Sequence, residues 1–169
     1  MVCFSSTALS NAVPVIGTFP TNATIPKSTP FELTGVATDA NAGDALTYQW
    51  EGTNIGLIVP IPVSATDVVG TTTLLDTEQP PFFRSYLPVS TGTRTFPRLE
   101  AILNGTNTAR GDKLPSVDVA TTHRLTVRDN VGGLAYRNLA ITVDGNSGPF
   151  LETTNLAGRY QGSTVQTIN

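Results

Sequence analysis

The stretch Thr38–Trp50, read TDANAGDALTYQW, constrains the fold of this chain more than any other. Two carboxylates, Asp39 and Asp44, flank Asn41 and Gly43, and oxygen-bearing residues around a glycine make a loop. The run that follows sets Leu46, Tyr48 and Trp50 at every second position, the period of a half-buried strand. A strand end, an acidic loop and a core strand holding the only tryptophan are therefore adjacent. A lone Trp in such a strand most often forms the centre of a core between two sheets.

The remaining chain reads as short strands broken by turns. The 12 prolines and 15 glycines recur along nearly its whole length, which excludes long helices. Ala12–Phe19 reads as an edge strand confined by Pro14 and Pro20, and Asn22–Pro30 as a second extended piece with a turn at Lys27–Pro30. Phe31, Leu33, Gly35 and Ala37 alternate with polar or outward residues as one continuous strand. Beyond Trp50, extended pieces are expected at Ile55–Val63, Thr71–Leu75, Phe82–Leu87 and Arg94–Phe96, with a single helical turn at Leu99–Leu103 and a polar loop from Asn104 to Pro115. His123–Asp129 points Leu125 and Val127 inward, Asn130–Gly133 is a hairpin turn, and Leu134–Val143 returns. The apolar phase of that return strand shifts between Tyr136 and Leu139, which predicts a β-bulge near Arg137–Asn138. The expected organisation is a flexible segment at 1–11, one β domain at 12–148, and a connector, or the first strands of a following domain, at 149–169.

Composition narrows the partners. A net charge of -3 and a pI near 5 argue against nucleic acid, which requires a basic face. No apolar run has the length of a bilayer span. Cys3 is the single cysteine, so no internal disulfide forms; it reads as an unpaired bystander, with lipid attachment as the lesser alternative. The opening MVCFSSTALS has neither basic residue nor long apolar core, so an export signal, if the domain is secreted, lies outside this chain.

The segments IPKSTPFELTG, TDANAGDALTYQWE, FFRSYLP, RTFPRL, LTVRDN and VDGNSGPF occur here in that order. Together, from about Ile25 to Phe150, they resemble the immunoglobulin-like, PKD- or cadherin-like domain found downstream of the catalytic domain in secreted bacterial reprolysin-like zinc metallopeptidases. The resemblance implies an all-β, immunoglobulin-like antiparallel β-sandwich with a long insertion in the middle and an extended C-terminal tail, in a secreted or cell-surface setting. It does not bring over the protease: the HExxH zinc site needs two histidines, and His123 is the only one.

In such a sandwich the loop before the Trp strand and the last hairpin share one end. That places Asp39, Asn41 and Asp44 near Asp129 and Asn130, and calcium, which takes six to eight oxygens, is the candidate cofactor. The competing reading is that these are turn residues capping their own backbone. The loop departs from the tighter DxDGD pattern, with Ala40 and Ala42 as spacers and Asn41 in place of an Asp, which favours the turn reading. His123 is in phase with Leu125 and Val127 and is read as a structural core residue rather than a catalytic base. Arg110-Gly111-Asp112 spells an integrin-type tripeptide and is set aside as accidental; Asn22-Ala23-Thr24 and Asn104-Gly105-Thr106 mark surface loops.

The expected function is a non-catalytic extracellular accessory module: a spacer or binding domain contacting neighbouring domains of its own polypeptide and an extracellular protein or glycan. The alternative is a structural or adhesive subunit of a surface filament, assembling through its tail strands by strand addition. An enzyme in its own right ranks last.

Overall fold

The computed structural model describes residues 10–54, 80–105, 108–109 and 111–150. The strands expected at Ile55–Val63 and Thr71–Leu75 lie outside these residues, as do nearly all of the 1–11 segment and the 149–169 tail. The chain is an all-β sandwich with ten strands and one short helix among the described residues. The strands are β1 (Val15–Thr18), β2 (Ala23–Pro26), β3 (Phe31–Thr34), β4 (Val36–Thr38), β5 (Thr47–Gly52), β6 (Thr93–Phe96), β7 (Thr108–Ala109), β8 (Asp112–Lys113), β9 (Val119–Arg128) and β10 (Leu134–Asp144). Helix α1 spans Leu99–Leu103, where a single turn was expected.

One layer is a four-stranded sheet in the order β2-β10-β9-β5. Its pairings are antiparallel except β2 on β10, which is parallel, so the sheet is mixed. The opposite layer is built from two strand pairs, β1 with β4 and β3 with β6. Trp50, Leu125, Val127, Leu139 and Ile141 from the first layer join Leu33, Ala37 and Phe96 from the second in one core. Trp50 is only 3% exposed, as its place in the alternating run required. Its ring stacks on Phe19 at 5.5 Å between centroids, and its indole N–H donates to the Gly92 carbonyl at 2.9 Å.

The continuous strand expected from Phe31 to Thr38 is divided at Gly35. Its first half pairs with β6 and its second with β1, so the chain changes partners there. Glycine is required at this point because the backbone crosses over the core side chains. A Cβ on Gly35 would meet Leu125 Cδ2 at 2.4 Å, and one on Gly92 would meet the Gly35 carbonyl oxygen at 1.8 Å. The Gly35 N–H donates to the Gly92 carbonyl at 2.9 Å, closing the crossing.

Two further expectations are corrected. No bulge interrupts β10: its register with β9 runs unbroken from Leu134 opposite Arg128 to Val143 opposite Val119. The apolar phase shifts because Tyr136 lies exposed under the Arg124 guanidinium at 4.6 Å, while Arg137 takes the next position and covers Phe19 at 4.4 Å. Cations on aromatic faces replace the regular alternation. Phe82–Leu87 does not form a strand either. Phe82 and Phe83 are both buried, which a strand with alternating faces does not allow, and Phe83 makes only an isolated bridge to Asp112. The Tyr86 carbonyl accepts from the Gln49 side chain instead of a ladder partner.

Candidate acidic site at the loop end

The β4–β5 loop and the β9–β10 hairpin meet at one end of the sandwich. Asp39, Asp44 and Asp129 each place a carboxylate oxygen within 4.8 Å of the others. Their positions are fixed by short-range backbone bonds. Asp39 Oδ1 accepts from the Asn41 N–H at 2.8 Å, and the Asp44 N–H donates to the Asn41 carbonyl at 3.3 Å, which curls the loop inward. Asp129 accepts from Val131 N–H at 2.9 Å and Gly133 N–H at 2.8 Å, closing the hairpin, and from the Asn11 side-chain amide at 2.6 Å.

Asp129 is almost fully covered. Burial alone would push its pKa up, but the donors from Asn11, Val131 and Gly133 outweigh it and hold the carboxyl below its ordinary value. It is therefore an anion at neutral pH. Asp39 Oδ2 and Asp44 Oδ2 are shielded from solvent, and neither has a hydrogen-bond partner among the described residues. Solvent-shielded carboxylate oxygens without donors are costly. Carboxylates this close also repel one another, a repulsion that nearby solvent screens but does not remove. A hard cation relieves both penalties, and carboxylate oxygens are the donor type that calcium prefers.

The two asparagines named with these aspartates act as braces. Asn41 Oδ1 accepts from the Ala12 N–H at 2.7 Å and pins the N-terminal lead against the loop. Asn130 adopts a left-handed φ of 65°, donates through Nδ2 to the Ala45 carbonyl at 2.6 Å and accepts from Thr47 at 3.4 Å. Both readings of this loop are thus visible: Asn41, Asn130, Asp129 and Oδ1 of Asp39 cap backbone, while Oδ2 of Asp39 and of Asp44 stay open.

A second polar cluster was not expected. Asp112, which the sequence placed in a polar loop, is fully buried. It pairs with Arg94 at 3.1 Å and accepts from the Arg84 N–H at 3.3 Å. Burial acts against both charges, raising Asp112 above the ordinary carboxylate range and lowering Arg94, while their mutual attraction opposes it. Arg94 also donates to the Trp50 carbonyl and, at 3.0 Å, to the Arg84 carbonyl. One guanidinium thus ties β5, β6, β8 and the segment at Arg84 together. The tripeptide at 110–112 cannot present its carboxylate to a receptor. The signal available in the sequence was the close spacing of arginine and aromatic residues in FFRSYLP and RTFPRL.

His123 is fully buried, with Phe31, Phe83 and Phe96 packed around its ring at 5.4, 5.6 and 4.9 Å. Burial, with a smaller contribution from Arg94, lowers its pKa to about 4. The imidazole is therefore a neutral packing element, with Nε2 on the Thr121 hydroxyl at 3.1 Å.

Among the described residues no helix is long and apolar enough to cross a membrane. No family model matches the chain, and no curated protein matches it.

Proposed function

We propose that this protein is a non-catalytic extracellular accessory domain, a spacer or binding module of a secreted multidomain bacterial protein of the metallopeptidase kind, and that its acidic end takes calcium. The observation that supports the calcium reading is the convergence of Asp39, Asp44 and Asp129 with two shielded oxygens left without donors. Asp39, Asp44 and Asp129 would hold the ion. Calcium there would neutralise the three carboxylates and bind the β4–β5 loop to the last hairpin, stiffening the end of the domain.

Thermal unfolding with excess calcium and with chelator tests this. The expected result is a rise in Tm with calcium, absent with magnesium, which demands a tighter octahedral shell and dehydrates reluctantly. An unchanged Tm, together with no heat of binding by calorimetry, sinks the calcium reading. The parent protein is tested by the reading frame around this segment: an upstream HExxH supports the metallopeptidase setting. Concentration-dependent polymers in size-exclusion chromatography would instead favour the filament subunit.

A further inference from the structure

The segment at Tyr86–Val89, strand β6 and helix α1 enclose a groove of about 300 Å³ against β5. Its walls include Trp50, Tyr86, Leu87, Val89 and Leu99. Leu87 is 87% exposed, and Val89 and Leu99 are each more than half exposed. Singly exposed apolar residues are ordinary, but three on one concave surface leave water against an apolar wall.

The charges of the groove are Arg94, Arg98 and Glu100. Arg94 is committed to Asp112. Arg98 is exposed and has no ion pair among the described residues, yet its position is fixed: its guanidinium lies 4.2 Å from the centre of the Tyr86 ring. Arg94 at 4.6 Å and Arg84 at 5.1 Å also flank that ring. The Tyr86 hydroxyl lies close to both Asp112 and Arg98 without a well-aligned hydrogen bond to either. A stacked guanidinium keeps its outward N–H donors free for a planar, bidentate acceptor, and a carboxylate has that shape.

We propose that this groove binds a small amphipathic carboxylate, its apolar body seated against Leu87, Val89 and Leu99 and its carboxylate held by Arg98. At roughly 30 Å³ per water-sized group, the volume admits about ten such groups, the size of one apolar amino-acid residue with its carboxylate. A free apolar carboxylic acid and the last residue of a peptide both supply this chemistry. Glu100, two positions from Arg98, opposes a carboxylate and sets the sign of one control. None of these residues belongs to the Asp39, Asp44 and Asp129 cluster, so this binding does not depend on calcium there.

Trp50 contributes to the groove wall, but its indole is buried in the core, so binding is read by calorimetry, with the fluorescence of this only tryptophan as a second signal. The probes are N-acetyl-leucine, N-acetyl-leucinamide and an acetylated alanyl-alanyl-leucine with a free carboxylate, each titrated into the full chain. The expected result is saturable binding of the two acids and at least about tenfold weaker binding of the amide, the difference a charge-assisted hydrogen bond supplies. Tighter binding of the tripeptide than of the acetylated leucine identifies a peptide end; equal binding identifies a free acid. Arg98→Gln, at an exposed site where folding is not at risk, should abolish the difference between acid and amide, and Glu100→Gln should tighten the acids several-fold. Equal binding of acid and amide, no saturable response to any probe, or unchanged acid affinity in Arg98→Gln overturns the proposal.

Discussion

Two carboxylate clusters in this molecule show opposite solutions to one electrostatic problem. At the loop end, Asp39, Asp44 and Asp129 crowd together, and none of them is in an ion pair among the described residues. Under the groove, Asp112 is more deeply buried, yet it has Arg94 at 3.1 Å and a backbone donor from Arg84. The second cluster carries its own cation, so its charge is balanced inside the fold even though Asp112 Oδ2 and Arg94 Nε have no hydrogen-bond partner among the described residues, and its role is to hold the fold. The first has two shielded oxygens without donors and no ion pair among the described residues, so it has capacity for an ion from outside. A buried charge with its own partner is structural; shielded charges that only repel one another are the ones to test for a ligand.

The sharpest way to break this comparison is to remove the internal cation. Arg94→Met leaves Asp112 buried and unpaired, and should cost about 3–5 kcal/mol in urea unfolding. Adding Asp112→Leu to that variant should recover a large part of the loss. If Arg94→Met alone is neutral, the pair does not hold the fold and the contrast fails.

His123, which lies beside this structural cluster, gives the next largest effect. Its folded pKa of about 4 lies below the ordinary 6.5. Above pH 6.5 both folded and unfolded states are neutral and the full stability is present. As pH falls from 6.5 towards 4 the unfolded chain takes up a proton that the folded one refuses, so stability is lost, by about 3 kcal/mol in all. Urea midpoints between pH 7 and 4 should fall accordingly, and His123→Leu should flatten that part of the profile.

The strand crossing gives a third test. Gly92→Ala drives a Cβ into the Gly35 carbonyl and displaces the acceptor of the Trp50 indole, which should cost about 1–3 kcal/mol. A Trp50 emission maximum shifted to the red would report the loosened ring. The smallest effect belongs to the loop end. Without calcium, Asp44→Asn relieves repulsion and should raise stability by up to about 1 kcal/mol. In the same variant the calcium-dependent rise in Tm should disappear. A loss of stability in chelator would show Asp44 to be a loop cap rather than an ion ligand.

Strong local periodicity was legible where one face of a strand met the core. Leu125 and Val127 in β9, and Tyr48 and Trp50 in β5, pointed inward as their spacing required, and His123 followed their phase. The hairpin at Asn130–Gly133 and the turn at Lys27 were readable because few residues accept such backbone angles. Phe82–Leu87 was misread because its backbone groups are satisfied by Gln49, Gly111 and Lys113, distant residues that no local pattern reveals. Asp112 was misread for a similar reason: a charge with polar and glycine neighbours looks solvated until a partner 18 positions away is brought to it.

The sequence by itself determined an all-β chain, the strand that carries the buried indole, and the two turns whose aspartates share one end. Those follow from alternation and turn chemistry, which act over a few residues. Only the tertiary structure decided that the strand beginning at Phe31 changes partners at Gly35, that Asp112 is internal, and that arginines and Tyr86 border an apolar groove. Each of these rests on a contact between segments far apart in the chain, such as Gly35 with Gly92 or Arg94 with Asp112. Whether a polar group is buried and what satisfies it is settled by where the chain brings it, so short-range sequence patterns do not carry that information.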